Sequence, residues 1–281
     1  MTPDITDRYA VFGNPISHSK SPLIHAEFAR QTGQILQYTA ELVEKNQFAH
    51  AVAAFQAHNG KGLNITVPFK QDAFQLVHEL SPRAQRAGAV NTLLLRDKNN
   101  YYGDTTDGAG LLNDLTRNHH LTLSNMNILV LGAGGAVRGV LEPLLAQTPA
   151  QLIIANRTVE TATQLAHEFS DLGQVEGCGY ADLNSRAFDL IINGTSASLQ
   201  GELLPLHNAL VSSNTVVYDM MYGKQDTPFM NWGRQLGAAM VLDGLGMLVE
   251  QAAESFYIWR GVRPHTAPVI STLRQQIKGH L

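Results

Sequence analysis

The chain alternates between short apolar runs and longer segments with helical spacing of apolar residues, which is typical of α/β proteins. One helical segment, Ser21 to Gly33, has a proline near its start and a glycine at its end, and both are common helix signals. The strand-like runs of the first half are YAVFG, QYTAEL, GLNITV and AVNTLLL. Those of the second half are NILVLGA, QLIIAN, FDLIINGT, TVVYDMMY and AAMVLDG.

The two halves of the chain differ in pattern. Runs in the second half are almost continuously apolar, as expected for parallel strands covered on both faces. We therefore predict two α/β domains, with a boundary near 103–110, where glycines and a helix start interrupt the pattern. The predicted first domain is 1–106 plus 244–281, since the amphipathic C-terminal segment is expected to pack back on it. The second is 107–243, and a length of 281 residues allows a core for each.

Composition and charge exclude several classes of protein. The net charge is -4 without a basic run, so neither a nucleic acid nor a membrane surface is an expected partner. The single cysteine, Cys178, cannot form an internal disulfide. The N-terminal stretch MTPDITDRYAVFGNP lacks the apolar core of a secretory signal, and no apolar run is long enough to span a bilayer. We expect a soluble cytoplasmic protein.

A glycine-rich turn follows the first strand of the second half. The strand leads into Gly132, Ala133, Gly134, Gly135 and Ala136, and a helix follows. Such glycines let backbone N–H groups approach a pyrophosphate at a helix start. A glycine loop is a weak signal by itself, and a tight strand-to-helix turn is the alternative.

The next strand supplies a second nucleotide signal. It ends at Asn156-Arg157-Thr158, where a dinucleotide fold usually has the acid that binds a ribose 2′-hydroxyl. An arginine beside amide and hydroxyl donors instead suits a 2′-phosphate, which favours NADP over NAD. The alternative is that Arg157 is a solvated residue at a helix start. A third strand ends at Asn193–Ser196, which is expected to line the same crevice unless it is only a capped turn.

Lys70 is unusual because it follows the strand GLNITV where a helix is expected to begin. If Pro68 occupies the first helical position, the positive end of the helix dipole lies beside Lys70 and disfavours its charged form. Asn64 and Thr66 would share one face of the preceding strand and need polar partners. A lysine in such a place can act as a general acid or base, although most lysines are simply solvated.

Three further polar clusters end apolar runs of the first half. Ser17 and Ser19 precede a helix, where hydroxyls bind carboxylates but also cap helices. Asn91 stands in an apolar run and could be a structural amide, and Asp107 stands at a helix start and could be a cap. Together they predict a hydroxyl-rich site for a small ligand, with one lysine and one aspartate. No zinc-binding spacing occurs among the 11 histidines, so no metal is expected.

The motifs FGNPISHSKSP, LNITVPFK, AVNT, DTTDG, GAGGA, NRT, NGTS, YDMMYGKQDTPF and GLGMLVEQAAESF occur in this order along almost the whole chain. In this the chain resembles the shikimate dehydrogenase family. The resemblance implies reduction of 3-dehydroshikimate to shikimate by NADPH, in the pathway to aromatic amino acids. It also implies a mixed α/β substrate-binding domain, a Rossmann-like, doubly wound NADP-binding domain, and a cleft separating them.

The resemblance also implies roles for individual residues. Lys70 and Asp107 would be the catalytic pair, with Asp107 also touching the substrate. Other substrate-binding residues would be Ser17, Ser19 and Tyr222 at the carboxylate, and Thr66, Asn91 and Gln251 at the hydroxyls. Cofactor-binding residues would be Gly132, Ala133, Gly134, Gly135, Ala136, Asn156, Arg157, Thr158, Met220 and Gly244.

Two positions depart from the family's pattern. Thr105 stands where the family usually has asparagine, and Thr161 stands where many members that use NADP have a second basic residue. The first could alter the loop that holds Asp107, and the second could weaken the preference for NADP. A quinate/shikimate dehydrogenase with relaxed specificity and a non-catalytic NADP sensor are the alternatives. Ser17 and Ser19 together favour the shikimate-specific form, and the chain could be a monomer or a homodimer.

Overall fold

The computed structural model describes residues 6–97, 100–183 and 187–279. Residues 1–5, on which the expectation of no secretory signal partly rests, lie outside this described part. The chain folds into two compact units, the first comprising Met1–Gly110 and Val249–Val269 and the second Leu111–Leu248 and Ile270–Leu281. None of the helices in the described ranges is both long and apolar enough to cross a membrane.

The first unit is built on a mixed six-stranded sheet in the order β2-β1-β3-β5-β6-β4. Its strands are β1 (Asp7–Gly13), β2 (Leu36–Leu42), β3 (Gly60–Ile65), β4 (Glu79–Leu80), β5 (Thr92–Leu95) and β6 (Tyr101–Asp104). β1 is parallel to β2 and β3, whereas β5 is antiparallel to β3 and β6. The sheet therefore contains both parallel and antiparallel pairs, and with its helices it forms the α/β domain that was predicted.

Helices cover the apolar positions of this sheet. They are α1 (Ser21–Thr32), α2 (Phe48–Ala57), α3 (Lys70–Leu76), α4 (Pro82–Ala87) and α5 (Asp107–Asn113), the last of which continues into the second unit. Phe12, Leu63 and Leu93 from three neighbouring strands are almost fully buried in one core. The sheet thereby fixes the end of β3, the start of β5 and the end of β6. Lys70, Asn91 and Asp107 lie within a few residues of these three points.

The second unit contains a six-stranded parallel sheet in the order β12-β11-β10-β7-β8-β9. Its strands are β7 (Asn127–Leu131), β8 (Gln151–Ala155), β9 (Val175–Cys178), β10 (Leu190–Asn193), β11 (Val216–Asp219) and β12 (Met240–Asp243). This is the strand order of doubly wound dinucleotide-binding folds, and it confirms the predicted Rossmann-like class. The switch point of the topology lies between β7 and β10, which are neighbours although β8 and β9 separate them in sequence.

Helices α6 (Gly135–Leu145), α7 (Val159–Glu168) and α8 (Pro228–Gln235) connect these strands, and α9 (Leu245–Arg260) and α10 (Thr266–Lys278) follow. Core residues occur on both sheet faces: Val130, Val140 and Ile154 belong to one cluster, and Leu129 and Ile153 belong to another. Burial on both faces explains why these strands read as continuous apolar runs.

The compact units differ from the predicted domain boundaries at three places. Residues 107–110 group with the first unit, where Asp107 binds Lys70. Residues 244–248 and 270–281 group with the second unit rather than the first. At the C-terminus, Arg274 on α10 forms a two-pronged ion pair with Asp243 at the end of β12, 31 positions away, and this pair ties α10 to the second unit.

Candidate active site

Lys70 and Asp107 form an ion pair in the first unit. The Lys70 ammonium donates to Oδ2 of Asp107 across 2.5 Å. The two side chains are 24% and 14% exposed, so both remain accessible to a small molecule while being largely shielded from water. A charge-assisted hydrogen bond of this length holds both groups in one geometry. These two residues were predicted as a pair from the sequence, and the structure brings them together.

Asn91 holds the other oxygen of Asp107. Its amide nitrogen donates to Oδ1 of Asp107 at 2.8 Å. The amide oxygen accepts the backbone N–H of Thr106 at 2.9 Å, from the residue just before Asp107. Asn91 thus connects the start of β5 to the start of α5, and the carboxylate of Asp107 receives donors on both oxygens.

The turn between β3 and α3 differs from its predicted form. β3 ends at Ile65, so Thr66 lies beyond the strand and does not share a strand face with Asn64. Pro68 lies in a turn after a cis peptide bond, and α3 begins at Lys70. The predicted helical position of Pro68 was therefore wrong, because the residues up to Phe69 complete the turn before the helix starts. Lys70 nevertheless lies at the helix N-terminus, as predicted.

The remaining predicted substrate residues of the first unit lie in different surroundings. Ser17 is exposed in the turn before α1. Ser19 is partly buried, and its hydroxyl accepts the backbone N–H of Ser21 at 3.3 Å. Gln251 on α9 places its side-chain oxygen 3.5 Å from the amide nitrogen of Asn91. Gln251 thus joins the Asn91 cluster, whereas the binding roles of Ser17 and Ser19 stay predictions.

Sequence reasoning missed a buried polar cluster behind Asn91. Ser255 on α9 is fully buried, and its hydroxyl lies 2.9 Å from the amide nitrogen of Asn64 and 2.8 Å from the Thr92 hydroxyl. The Tyr38 hydroxyl donates to the amide oxygen of Asn64 at 2.7 Å. The only sequence signal was the polar pair Asn64 and Thr92 in apolar strands, because Ser255 lies 191 positions from Asn64.

His25 packs against this cluster without joining it. It lies on α1, is 0% exposed, and stacks on Tyr38 with ring centroids 4.1 Å apart and planes 6° from parallel. Neither ring nitrogen has a hydrogen-bond partner among the described residues. Burial lowers the pKa of His25 to about 3, and the nearby Asn64 side chain opposes this shift although it forms no hydrogen bond to the ring. The imidazole is therefore neutral at physiological pH.

In the second unit, the glycine-rich turn lies at the switch point of the sheet. Gly132 has a φ of 101°, which only glycine adopts readily, and its Cα faces the Thr195 side chain of the loop after β10. At Gly134 and Gly135 an added Cβ would meet no protein atom within 4 Å. Neither protein packing nor a positive φ requires these two glycines, which leave the first turn of α6 open. That turn has no side-chain cap, so its N–H groups are available to a phosphate.

The predicted 2′-phosphate residues end the neighbouring strand. The Asn156 side chain donates to the backbone oxygen of Thr158 at 3.0 Å, which shapes the turn before α7. Arg157 and Thr158 are exposed on this turn. The arrangement presents a cation on the strand next to the glycine-rich turn, since β7 and β8 are paired.

Three other predicted residues lie at the ends of β11 and β12. Gly244 packs on Met220 so closely that a Cβ would fall 2.1 Å from the Met220 carbonyl oxygen. Tyr222 is partly buried in the same unit. Burial is the main cause that raises the pKa of the Tyr222 phenol, and the negative charge of Asp243 is the second. The phenol therefore keeps its proton at neutral pH. Met220 and Gly244 are brought together as predicted cofactor neighbours, and their role stays a prediction.

The loop after β10 is anchored by a buried carboxylate that sequence reasoning did not identify. Asp219 is 0% exposed, and its Oδ2 accepts the hydroxyls of Thr227 at 2.6 Å and Ser198 at 2.7 Å. The amide of Asn193 donates to Oδ1 at 3.2 Å. The predicted crevice residue Asn193 is thus part of the framework. Within the described ranges, no group of three or more His, Cys, Asp or Glu side chains could hold a metal ion.

The open glycine turn at a sheet switch point and the partly shielded Lys70–Asp107 pair define the class of protein. It is an α/β dehydrogenase that uses a dinucleotide cofactor.

Comparison with known proteins identifies the family. Residues 11–93 match the shikimate dehydrogenase substrate binding domain, 114–201 match the shikimate / quinate 5-dehydrogenase model, and 244–274 match the shikimate 5'-dehydrogenase C-terminal domain. The chain is 56% identical over 273 residues to the shikimate dehydrogenase (NADP(+)) of Cellvibrio japonicus strain Ueda107, covering 97% of this chain and 99% of that protein. The chain belongs to the shikimate dehydrogenase family.

Two solved structures are similar to the chain over nearly its whole length. An Ael1 enzyme from Pseudomonas putida is 45% identical with a TM-score of 0.91, covering 95% of this chain and 98% of that one. The shikimate 5-dehydrogenase of Thermus thermophilus, solved in complex with NADP(H) and shikimate, is 29% identical with a TM-score of 0.85. That match covers 96% of this chain and 99% of the other.

Proposed function

We propose that this chain is an NADP-dependent shikimate dehydrogenase that interconverts 3-dehydroshikimate and shikimate. The observation that supports this most directly is the 2.5 Å contact between Lys70 and Asp107. It lies in the unit that contains residues 11–93, which match the substrate binding domain of the family. Relatives named shikimate dehydrogenase (NADP(+)) match almost the whole chain at 54% to 57% identity.

In this proposal the polar residues of the first unit bind the substrate ring. Thr66, Asn91 and Gln251 offer hydroxyl and amide groups that can both donate and accept, as a ring with several hydroxyls requires. Ser17 and Ser19 bind the carboxylate, and Tyr222 contributes its protonated phenol. Each of these assignments follows the family's motifs and is a prediction for this chain.

Lys70 and Asp107 handle the proton of the reaction. In the reduction, the carbonyl carbon gains a hydride and the carbonyl oxygen gains a proton from the Lys70 ammonium. The amine left behind regains its proton from solvent. Asp107 accepts a hydrogen bond from Lys70 and is itself held by Asn91, so the ammonium is oriented before the substrate arrives. In the oxidation the same amine accepts the proton of the substrate hydroxyl.

The second unit fits NADP. Gly132, Ala133, Gly134, Gly135 and Ala136 would hold the pyrophosphate, since an open helix start with uncapped N–H groups suits an anion. Asn156, Arg157 and Thr158 would hold the 2′-phosphate, and Met220 and Gly244 would contact the nicotinamide. When bound, the cofactor supplies or accepts the hydride.

The role of Arg157 can be tested by its removal. Arg157→Ala is expected to raise the KM for NADP by about ten-fold, because an exposed charged hydrogen bond contributes at the low end of its usual range. The KM for NAD, which lacks the 2′-phosphate, is expected to stay unchanged. Steady-state kinetics with each cofactor provides the measurement, and Arg234→Ala, at an exposed arginine of the same unit, is the control. Equal losses with NADP and NAD would contradict the assignment.

A quinate/shikimate dehydrogenase is the second candidate, because residues 114–201 match a model described for both substrates. Initial rates with shikimate and with quinate, each with NADP and NAD, separate the two. We expect the largest kcat/KM for shikimate with NADP. An optimum for quinate with NAD would favour the second candidate, and absence of turnover in all combinations would favour a non-catalytic NADP-binding protein. A cytoplasmic location and a monomeric or homodimeric state remain predictions.

A further inference from the structure

A chain of hydrogen bonds runs from the buried interior of the first unit to the Asp107 carboxylate. Its members come from two helices and three strands or their ends, in the order Tyr38, Asn64, Ser255, Thr92, Asn91 and Asp107. Every contact in it is between 2.7 and 2.9 Å. All six residues are at least partly buried, and Ser255 and Thr92 are 0% and 1% exposed.

The direction of donation in this chain can be worked out from the groups themselves. The Tyr38 hydroxyl donates to the amide oxygen of Asn64, so the Asn64 nitrogen faces Ser255 as a donor. The Thr92 hydroxyl donates to the amide oxygen of Asn91 at 2.8 Å, which uses its single proton. Thr92 can therefore only accept in its 2.8 Å contact with Ser255. The single proton of Ser255 has two acceptors, the Thr92 oxygen at 2.8 Å and the backbone oxygen of Gln251 at 3.1 Å, and the contact to Thr92 is the shorter. The other links all donate towards Asp107.

These donors fix the orientation of the side-chain amide of Asn91. With the Thr92 hydroxyl and the Thr106 N–H both donating to its oxygen, the amide nitrogen must face Asp107. A reversed amide would place an oxygen against the carboxylate and a nitrogen against two donors. Burial of Tyr38 raises the pKa of its hydroxyl well above its usual value, so the first donor keeps its proton across the working pH range.

We propose that Thr92 and Ser255 are positioning residues for the proton-transfer step: they lock the Asn91 amide in the orientation that holds Asp107, and through it Lys70. This inference rests on the proposed function for its kinetic consequence. Thr92 acts directly on Asn91, and Ser255 acts on Thr92 by directing its proton. Neither residue contacts the reacting groups in the structure.

The test is a double-mutant cycle on kcat for shikimate oxidation with NADP. Thr92→Val keeps the shape of the side chain and removes its hydroxyl, and it is expected to lower kcat by about ten-fold with little change in the KM for NADP. Ser255→Ala is expected to lower kcat by a smaller factor. Thr92→Ser, which keeps a hydroxyl, is expected to have a kcat close to that of the wild type. In an Asn91→Ala background, Thr92→Val is expected to have no further effect.

Several outcomes would overturn the inference. If Thr92→Val lowered kcat equally in the wild-type and the Asn91→Ala backgrounds, Thr92 would act independently of the amide. A Thr92→Ser variant with the same low kcat as Thr92→Val would also contradict the inference. Crystal structures of the variants give a readout independent of turnover: the Asn91 amide is expected to leave Asp107 in Thr92→Val and to keep it in Thr92→Ser. If it stays in place in Thr92→Val, the inference is wrong. A wild-type chain that does not oxidise shikimate contradicts the proposed function instead, and the crystal structures then decide the inference alone.

Discussion

Replacing Lys70 by alanine is expected to lower kcat for shikimate oxidation by roughly 10²–10⁴-fold, the usual loss when a general acid or base is removed. The physical reason is that the ammonium is held 2.5 Å from Asp107 and, in the proposed mechanism, exchanges a proton with the substrate. The core of this unit consists of apolar side chains such as Phe12, Leu63 and Leu93, so removal of the Lys70 amine should leave it intact. Steady-state kinetics, with circular dichroism and NADP titration as checks on the fold and on cofactor binding, provides the measurement.

Lys61 offers a matched control for this experiment. It lies exposed on β3, the strand that leads to Lys70. Lys61→Ala is expected to keep wild-type kcat, since a solvated lysine contributes little to the site. If Lys70→Ala retained near-native turnover, or if Lys61→Ala lost as much, the role given to Lys70 would be wrong.

Acidification from pH 7 to pH 5 is expected to reduce the free energy of unfolding by about 2 kcal/mol through His25 alone. The pKa of His25 is lowered from 6.5 to about 3 by burial in the folded chain. Between these values the unfolded chain binds a proton that the folded chain does not, so stability falls as the pH falls through this range. The measurement is the denaturant midpoint and slope at each pH.

His25→Leu removes the titrating group and replaces it with an apolar side chain of similar size. We expect this variant to lose much less stability than the wild type between pH 7 and pH 5. His50, an exposed histidine on α2, provides the control, because His50→Leu is expected to keep the acid sensitivity. If the His25→Leu variant lost as much unfolding free energy between pH 7 and pH 5 as the wild type, other groups would cause the acid sensitivity.

Much of the fold could be predicted because hydrophobic patterning is strong where strands are buried. Each of the nine apolar runs corresponds to a strand, and the continuous runs of the second half are the parallel sheet. Three strands were not foreseen: β4 has two residues, β6 reads YYGD, and β9 reads VEGC. These are short, and β4 and β9 are edge strands. Their pairing depends on neighbouring strands, which local pattern does not report.

The candidate site was predictable to the extent that its residues stand beside recognisable elements. Lys70 follows one apolar run, Asn91 stands in another and Asp107 stands at a helix start, and the structure brings the three together. The cluster around Ser255 was not predictable, because its partners come from distant parts of the chain and Ser255 has no local signal. The position of Pro68 was mistaken because the turn after β3 is longer than the helix-start rule assumes. The boundary at α10 depends on one long-range ion pair between Arg274 and Asp243.

The most direct test of the account is hydride transfer itself. The chain is incubated with 3-dehydroshikimate and NADPH that carries deuterium at C4 of the nicotinamide, using each of the two C4 isotopomers in turn. The account predicts shikimate with one deuterium on the carbon that bears the new hydroxyl, from one isotopomer only, and loss of this product in Lys70→Ala. Shikimate without deuterium from either isotopomer, or no shikimate at all, would contradict it.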